Sequence, residues 1–198
     1  MIERGAFAEL HCLSNYSFLR GASHPEELVY QASDLGYSAI AITDECSYSG
    51  LVKAHVAAKQ CGIKLIVGAE FFVDIAHGEE KNSVENIIML APTRQAYGQL
   101  SAFISKIRRK NQKGNSYLGY EDCQIGLSDC LILWSPELQD IDIQVSVGHK
   151  LKTIFQHFWI TLELFQDGFD IDKTAQALTL SSRLNLRLVA SNNVHTHV

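Results

Sequence analysis

No apolar run in this chain approaches the roughly 18 residues that a membrane-spanning helix requires. Its first residues, MIERGAFAE, lack the apolar stretch of a secretory leader. Cysteine is sparse: five residues, an odd number with no CxxC pair, exclude a disulfide framework and a zinc ribbon. Cys12, Cys46 and Cys61 lie in apolar surroundings and read as buried thiols of a reducing cytosol. Positive charge is short as well, with 17 basic against 22 acidic residues and a net charge of −5. That excludes a stand-alone nucleic-acid-binding module, though not a piece of a larger DNA enzyme. There is no low-complexity segment and no internal linker. With 46% hydrophobic and 20% charged residues, the 198 residues are expected to form one soluble, cytoplasmic domain with a full core.

What is present is an alternation of strands and helices, and residues 8–28, AELHCLSNYSFLRGASHPEEL, set the pattern. The apolar run 7–13, broken by His11, reads as a strand. Small polar residues and Arg20-Gly21-Ala22 read as a loop. Ser23-His24-Pro25-Glu26 reads as a capping box with Ser23 at the N-cap, and Pro25 sits in the first turn, where its missing N–H costs nothing. The helix is expected to run to Leu35 with Leu28, Val29, Ala32 and Leu35 turned inward. A strand over 38–43 ends on Thr43-Asp44-Glu45, and a helix over 48–60 follows. A strand over 64–68 ends on Ala69-Glu70, with extended chain over 71–75 and a polar loop over 77–83. A strand over 86–91 leads into a helix from Pro92-Thr93 to Lys110, and residues 111–129 read as an irregular surface loop. The remainder reads as strand 130–134, helix 145–156, strand 158–164, helix 172–185 with Ala175, Leu178 and Ser182 on one side, and strand 187–191. This alternation implies an α/β fold with a mostly parallel sheet, open or closed into a barrel.

Polar side chains gather at the strand ends: His11, Asp44-Glu45, Glu70, Asn193 and His195. In a parallel β/α barrel those ends converge on one mouth, where such folds build their sites. Imidazole with carboxylates suits Zn, Mn or Fe activating water against a phosphate ester. The HxH pair that would sharpen this reading is missing, since the sequence runs His11-Cys12-Leu13.

The segments LHCLSNYSFLRGASHPEEL, AIAITDECSYSGLVKAH, GIKLIVGAEF, LAPTRQAYGQLS and LVASNNVH occur in that order. Together they resemble the polymerase-and-histidinol-phosphatase (PHP) domain, most closely the N-terminal PHP domain of bacterial C-family DNA polymerases (the polymerase III alpha subunit). SNYSFLRGASHPEELV is closest to the error-prone branch. The resemblance implies a PHP-type distorted seven-stranded β/α barrel spanning 1–198 as a single domain. It implies an N-terminal fragment of a longer bacterial polymerase, and the abrupt end at Thr196-His197-Val198 fits that expectation. DNA synthesis across damage would belong to the parent, not to this domain.

The resemblance also implies a metal cluster at the strand ends, and there the sequence departs from the active pattern. Where active members open with HxHS, His11 is kept but the second histidine is Leu13. The acidic residue before the loop glycine is Arg20, and the TDH triplet reads Thr43-Asp44-Glu45. Glu70 survives, the next histidine becomes Asn86, and the late Asp-x-His reads Asn193-Val194-His195. The residual ligand set is therefore His11, Glu70 and His195, with Glu45 as a stand-in. Leu13, Arg20, Asp44, Asn86 and Asn193 line a pocket at former ligand positions. This implies a structural domain with no catalysis of its own and no cofactor, at most one weakly bound Zn or Mn, because the Arg20 charge opposes a second cation. Glu70 is a candidate to pair with Arg20. The alternative is a metal-dependent phosphoesterase or 3′-5′ exonuclease using His11, Glu45, Glu70 and His195.

Plainer readings stand beside these. His11 and His195 read as hydrogen-bonded core histidines, and Asp44 as the cap of a helix start. His24 and His55 are assigned to helices, Trp134 and Trp159 to the core. The basic run Lys106, Arg108, Arg109 and Lys110, with Lys113, ends a helix, where cations complement the macrodipole. Its candidate contacts are DNA phosphates or another polymerase domain. Expected partners are the remaining polymerase domains of the same chain, DNA through the parent polymerase, and other mutagenesis or replication proteins, with no membrane.

Overall fold

The computed structural model describes residues 7–75 and 84–198, so the polar loop expected over 77–83 lies outside the described residues. The chain begins with β1 (Ala8–Glu9), α1 (Pro25–Asp34), β2 (Ala39–Ile42), α2 (Leu51–Cys61) and β3 (Lys64–Asp74). It continues through β4 (Val84–Ala91), α3 (Arg94–Lys110), β5 (Leu118–Gly119) and a 3₁₀ turn (Tyr120–Gln124). It ends with β6 (Leu131–Ser135), α4 (Ile141–Ile154), β7 (Phe158–Glu163), α5 (Asp170–Leu184) and β8 (Leu188–Ser191).

Seven strands follow the order β1-β2-β3-β4-β6-β7-β8. Neighbours are parallel except that β4 runs antiparallel to both β3 and β6. The short β5 takes the edge of β3 beyond the end of β2. The ring is nearly closed past the ends of β1 and β8, where Leu13 N donates to Val194 O at 2.8 Å and Val194 N donates to His11 O at 2.9 Å. Buried Glu9 clasps the same seam, accepting from Ser191 Oγ (2.5 Å), Asn192 Nδ2 (2.8 Å) and Asn192 N (3.1 Å). This is the distorted seven-stranded barrel that the sequence resemblance implied.

Strand alternation sorts the side chains into layers. Ala41, Ile88, Leu90 and Leu133 fill the barrel floor with Ile66, Leu131, Trp159 and Val189 packed against them. Their neighbours turn outward: Ile40 and Ile42 meet α1 and α2, while Ile87, Met89, Ile132 and Trp134 meet α3, α4 and α5. Continuing the inward alternation reaches Glu70 on β3, Asn86 on β4, Ser135 on β6 and Glu163 on β7. Because β4 is reversed, its contribution to the mouth comes from its N-terminal end.

Several local expectations are corrected. α1 is capped by His24, whose N–H donates to Glu27 Oε2 at 2.7 Å. Ser23 is committed elsewhere, since its Oγ accepts from His197 N at 2.8 Å. Leu35 is the exposed C-cap, not part of the inward stripe. β3 runs unbroken past Glu70 to Asp74. Residues 111–129 are not wholly irregular: β5 and the 3₁₀ turn lie within them, tied by Asp122 Oδ2, which accepts from Gly119 N at 3.1 Å and Lys110 Nζ at 2.5 Å. α4 starts at Ile141 because Asp140 caps it, accepting from Asp142 N (2.9 Å) and Ile143 N (3.3 Å). α5 buries Ala177, Leu180 and Leu184 and exposes Ala175, Leu178 and Ser182. Leu184 lies directly against Gly148 of α4, which sets that phase. Among the described residues no helix is long and apolar enough to cross a membrane.

Candidate functional site

His11 follows β1 at the seam and is wholly buried. Its Nδ1 lies 2.7 Å from Glu163 Oε1 and its Nε2 lies 2.6 Å from Glu70 Oε2. With a carboxylate on each ring nitrogen, both nitrogens act as donors and the ring is held as imidazolium. Burial alone would lower the His11 pKa, but the bonds to Glu163 and Glu70 outweigh it and raise the value to about 9. Burial pushes Glu70 the other way, and the bonds from His11 and Arg20 bring its pKa below the ordinary carboxylate value.

Arg20 arrives on the loop between β1 and α1. Gly21 makes the bend, since a Cβ there would lie 2.0 Å from Ser14 O. Buried Asp44 fastens the loop, accepting from Ser14 N (2.8 Å), Ser14 Oγ (2.7 Å) and Ser17 Oγ (2.8 Å). Asp44 is therefore not a helix cap; α2 begins after Gly50. The Arg20 guanidinium forks onto Glu70, with Nη1 on Oε1 and Nη2 3.2 Å from Oε2. Nη1 also reaches Glu45 Oε2 at 3.3 Å. The guanidinium stacks 4.9 Å from the centroid of the Phe72 ring. Neutral donors meet the remaining oxygens: Ser135 Oγ donates to Glu163 Oε2 at 3.1 Å and Ser116 Oγ to Glu45 Oε1 at 2.9 Å. Asn86 Nδ2 lies 3.5 Å from Glu70 Oε2.

His11, Glu45 and Glu70 thus join one network, while His195 bonds Asn193 Oδ1 through Nε2 at 2.9 Å. The pKa of His195 is lowered, first by burial and then by the positive charges of Arg20 and His11. Arg20, Asn86 and Asn193 line an open cleft of about 610 Å³ together with Phe72, Ser135 and Glu163. Leu13 and Asp44 do not line it; both are buried, Leu13 at the strand seam and Asp44 under the loop. Glu163, Ser135 and Ser116 are absent from the sequence-derived set. Glu163 closes β7, so the strand-end rule that selects Glu70 applies to it, whereas Ser116 comes from a loop and carries no such signal.

The basic run is largely occupied. Lys106 and Lys110 lie 3.6 and 2.5 Å from Asp122 oxygens. Arg108 donates to Cys46 O at 3.0 Å and Glu45 O at 2.9 Å, tying α3 to the mouth. Arg109 and Lys113 have no partner among the described residues.

A metal ion at the mouth would need a nitrogen lone pair and unshared carboxylate oxygens. His11 offers neither ring nitrogen, Arg20 covers Glu70, and Glu45 shares its oxygens with Arg20 and Ser116. Of the candidate ligands only His195 keeps a ring nitrogen, Nδ1, without a partner among the described residues. The residues present do not fit a metal centre in this arrangement. Among the described residues no group of three or more His, Cys, Asp or Glu is placed to hold an ion.

A seven-stranded β/α barrel with its polar residues gathered at one mouth is the architecture of a known class. The chain matches the PHP domain over residues 9–157 and belongs to that family. Its relatives narrow the likeness. It is 45% identical over 193 residues to the error-prone DNA polymerase of Methylococcus capsulatus, covering 96% of this chain and 17% of that protein. It is 52% identical over 195 residues to the error-prone DNA polymerase of Teredinibacter turnerae, covering 91% of this chain and 18% of that protein. The chain therefore spans less than a fifth of the length of these curated relatives. Among solved structures it is similar to an amidohydrolase from Chromobacterium violaceum, with a TM-score of 0.70, 15% identity, and coverage of 96% of this chain and 88% of that one. It is also similar to a candidate metal-dependent phosphoesterase from Bifidobacterium adolescentis, with a TM-score of 0.65, 13% identity and the same coverages of 96% and 88%. At such identities the likeness shows the fold alone.

Proposed function

We propose that residues 1–198 form the N-terminal PHP domain of a longer bacterial error-prone DNA polymerase, acting there as a structural unit with no hydrolytic reaction of its own. Identity to error-prone polymerases along nearly the whole chain supports the parent. In that setting the other domains of the same chain carry nucleotidyl transfer, DNA is met through them, and the cell compartment is the cytoplasm. Further mutagenesis or replication proteins would dock on the assembled polymerase.

The observation that carries the structural reading is the commitment of both His11 nitrogens to Glu70 and Glu163. Two side-chain cations, His11 and Arg20, hold together three carboxylates, one from the segment after β2 and one each from β3 and β7, where an active relative would use metal ions. The fold shared with a candidate phosphoesterase favours a second reading. In it His11, Glu45, Glu70 and His195 hold one Zn or Mn for phosphoester or 3′-5′ exonuclease chemistry.

Metal analysis and thermal melting with and without EDTA separate the two readings, together with assays on p-nitrophenyl phosphate and single-stranded DNA with added Mn or Zn. The structural reading expects no bound metal, an unmoved melting temperature and no turnover. A drop of several degrees in EDTA, or turnover abolished by His195→Ala, would establish the second reading instead.

A further inference from the structure

The segment joining β7 to α5 carries an apolar platform that the domain leaves uncovered. Phe165 is 47% exposed, Phe169 56%, Ile171 83% and Leu178 58%. Ile171 and Leu178 border a shallow groove along α5, and Phe165 and Phe169 border the mouth cleft beside it. Exposed large apolar side chains gathered in this way mark interaction surfaces.

The strip is held out firmly. Asp170 accepts from Phe165 N at 3.1 Å and Gln166 N at 3.0 Å, and Asp167 accepts from Phe169 N at 3.0 Å. Lys173 Nζ bonds Asp167 Oδ2 at 2.8 Å and stands 4.5 Å over the Phe165 ring. A loop tied this way presents its aromatic rings in one arrangement, so little ordering cost remains when a partner binds. The surroundings are acidic, with Glu137, Asp140, Asp142, Asp167 and Asp172 exposed. Lys173 pairs with Asp167, Arg183 with Asp142, and Asp140 caps α4, so Glu137 and Asp172 are the acids of the rim left to meet a partner's cations.

We infer that this platform docks a basic amphipathic segment from the remainder of the polymerase chain. Apolar side chains of that segment would cover Phe165, Phe169, Ile171 and Leu178, and flanking Lys or Arg would meet the acidic rim. The inference rests on the reading of this chain as the N-terminal domain of a longer polymerase. In relatives the matching region is only 17–18% of the length, which leaves more than four fifths of the molecule from which such a segment can come. Tethering makes its effective concentration high, so a platform of modest area suffices.

The test is hydrogen exchange on the full-length protein expressed from its native gene, comparing wild type with Ile171→Asp and Leu178→Ser. Both positions are exposed in this domain, and unchanged exchange over β3 and β4 verifies that the barrel is intact. The expected result is at least about tenfold faster exchange over residues 164–178 in each variant, lost in parallel over one distant peptide rich in Lys or Arg and apolar residues. High salt should weaken the same protection. Unchanged exchange in both variants, a distant peptide without basic residues, or protection that varies with protein concentration as a second copy would require, overturns the inference. A native gene ending at Val198 overturns the N-terminal-domain reading itself, a result distinct from the others.

Discussion

Arg20→Met removes the guanidinium from the mouth while keeping an unbranched side chain beside Phe72. Its consequence follows from burial. Glu70 is wholly buried, the Arg20 side chain is 26% exposed, and the fork between them joins two guanidinium nitrogens to both carboxylate oxygens. Removing one partner of a buried pair costs about 3–5 kcal/mol, because a charge is left without compensation. Here the loss is moderated, since Glu70 keeps the His11 imidazolium at 2.6 Å. The expectation is about 2–3 kcal/mol, or a melting shift of about 4–12 °C for a domain of this length.

Glu70→Gln removes the other partner, and the double variant completes a cycle. If the two groups act as a unit, the double variant should cost less than the sum by about 1–3 kcal/mol. Urea unfolding followed by the fluorescence of the fully buried Trp134 provides the assay. Single costs below about 0.5 kcal/mol, or strict additivity, would refute the reasoning. They would mean that the pair behaves as an exposed surface contact and does not hold the strand ends together.

The pH dependence has a definite sign. Folding raises the His11 pKa from 6.5 to about 9, so its contribution is complete below pH 6.5 and is lost as pH rises through about 9. That contribution is about 3 kcal/mol. Glu70, lowered from 4.5, contributes above pH 4.5 and loses its contribution as pH falls, so the network is strongest between 4.5 and 6.5. An unfolding midpoint that stays flat over roughly pH 6 to 10 would contradict this. Two glycines should respond oppositely to alanine. Gly21→Ala drives a Cβ against Ser14 O and should lose about 2 kcal/mol or more, whereas Gly98→Ala in α3 meets nothing within 4 Å and should gain about 0.5–1 kcal/mol in thermal melts.

The strands were legible because those sheathed by helices read as continuous apolar runs, as in AIAI of β2 and KLIVG of β3. Elements set by distant partners were not. Two apolar stripes compete on α5, and only the approach of Leu184 to Gly148 selects Ala177, Leu180 and Leu184 over Ala175 and Leu178. The short β5 exists because β2 ends early and leaves the β3 edge free, which no local pattern in residues 111–129 announces. At the mouth, the strand-end rule selects His11, Glu45 and Glu70. A strand drawn to residue 164 hides Glu163 inside it. That His11 would join two carboxylates 59 and 152 residues away is a property of barrel closure, and sequence spacing carries no trace of it.

The same closure sets what a metal ion would have to overcome. A ligand nitrogen must be deprotonated, and metal binding competes with its proton. With a pKa of about 9, His11 is protonated in all but about one molecule in a hundred at pH 7. Its apparent affinity for an ion is reduced about 100-fold on that account alone, near 3 kcal/mol. The Arg20 fork must then leave Glu70, which gives up both of its hydrogen bonds there. Internal cations satisfy the carboxylates at every instant and need no supply of metal. In the structural reading proposed above, His11 and Arg20 take the place of metal ions among these carboxylates, and a PHP barrel held together in this way can serve as scaffold.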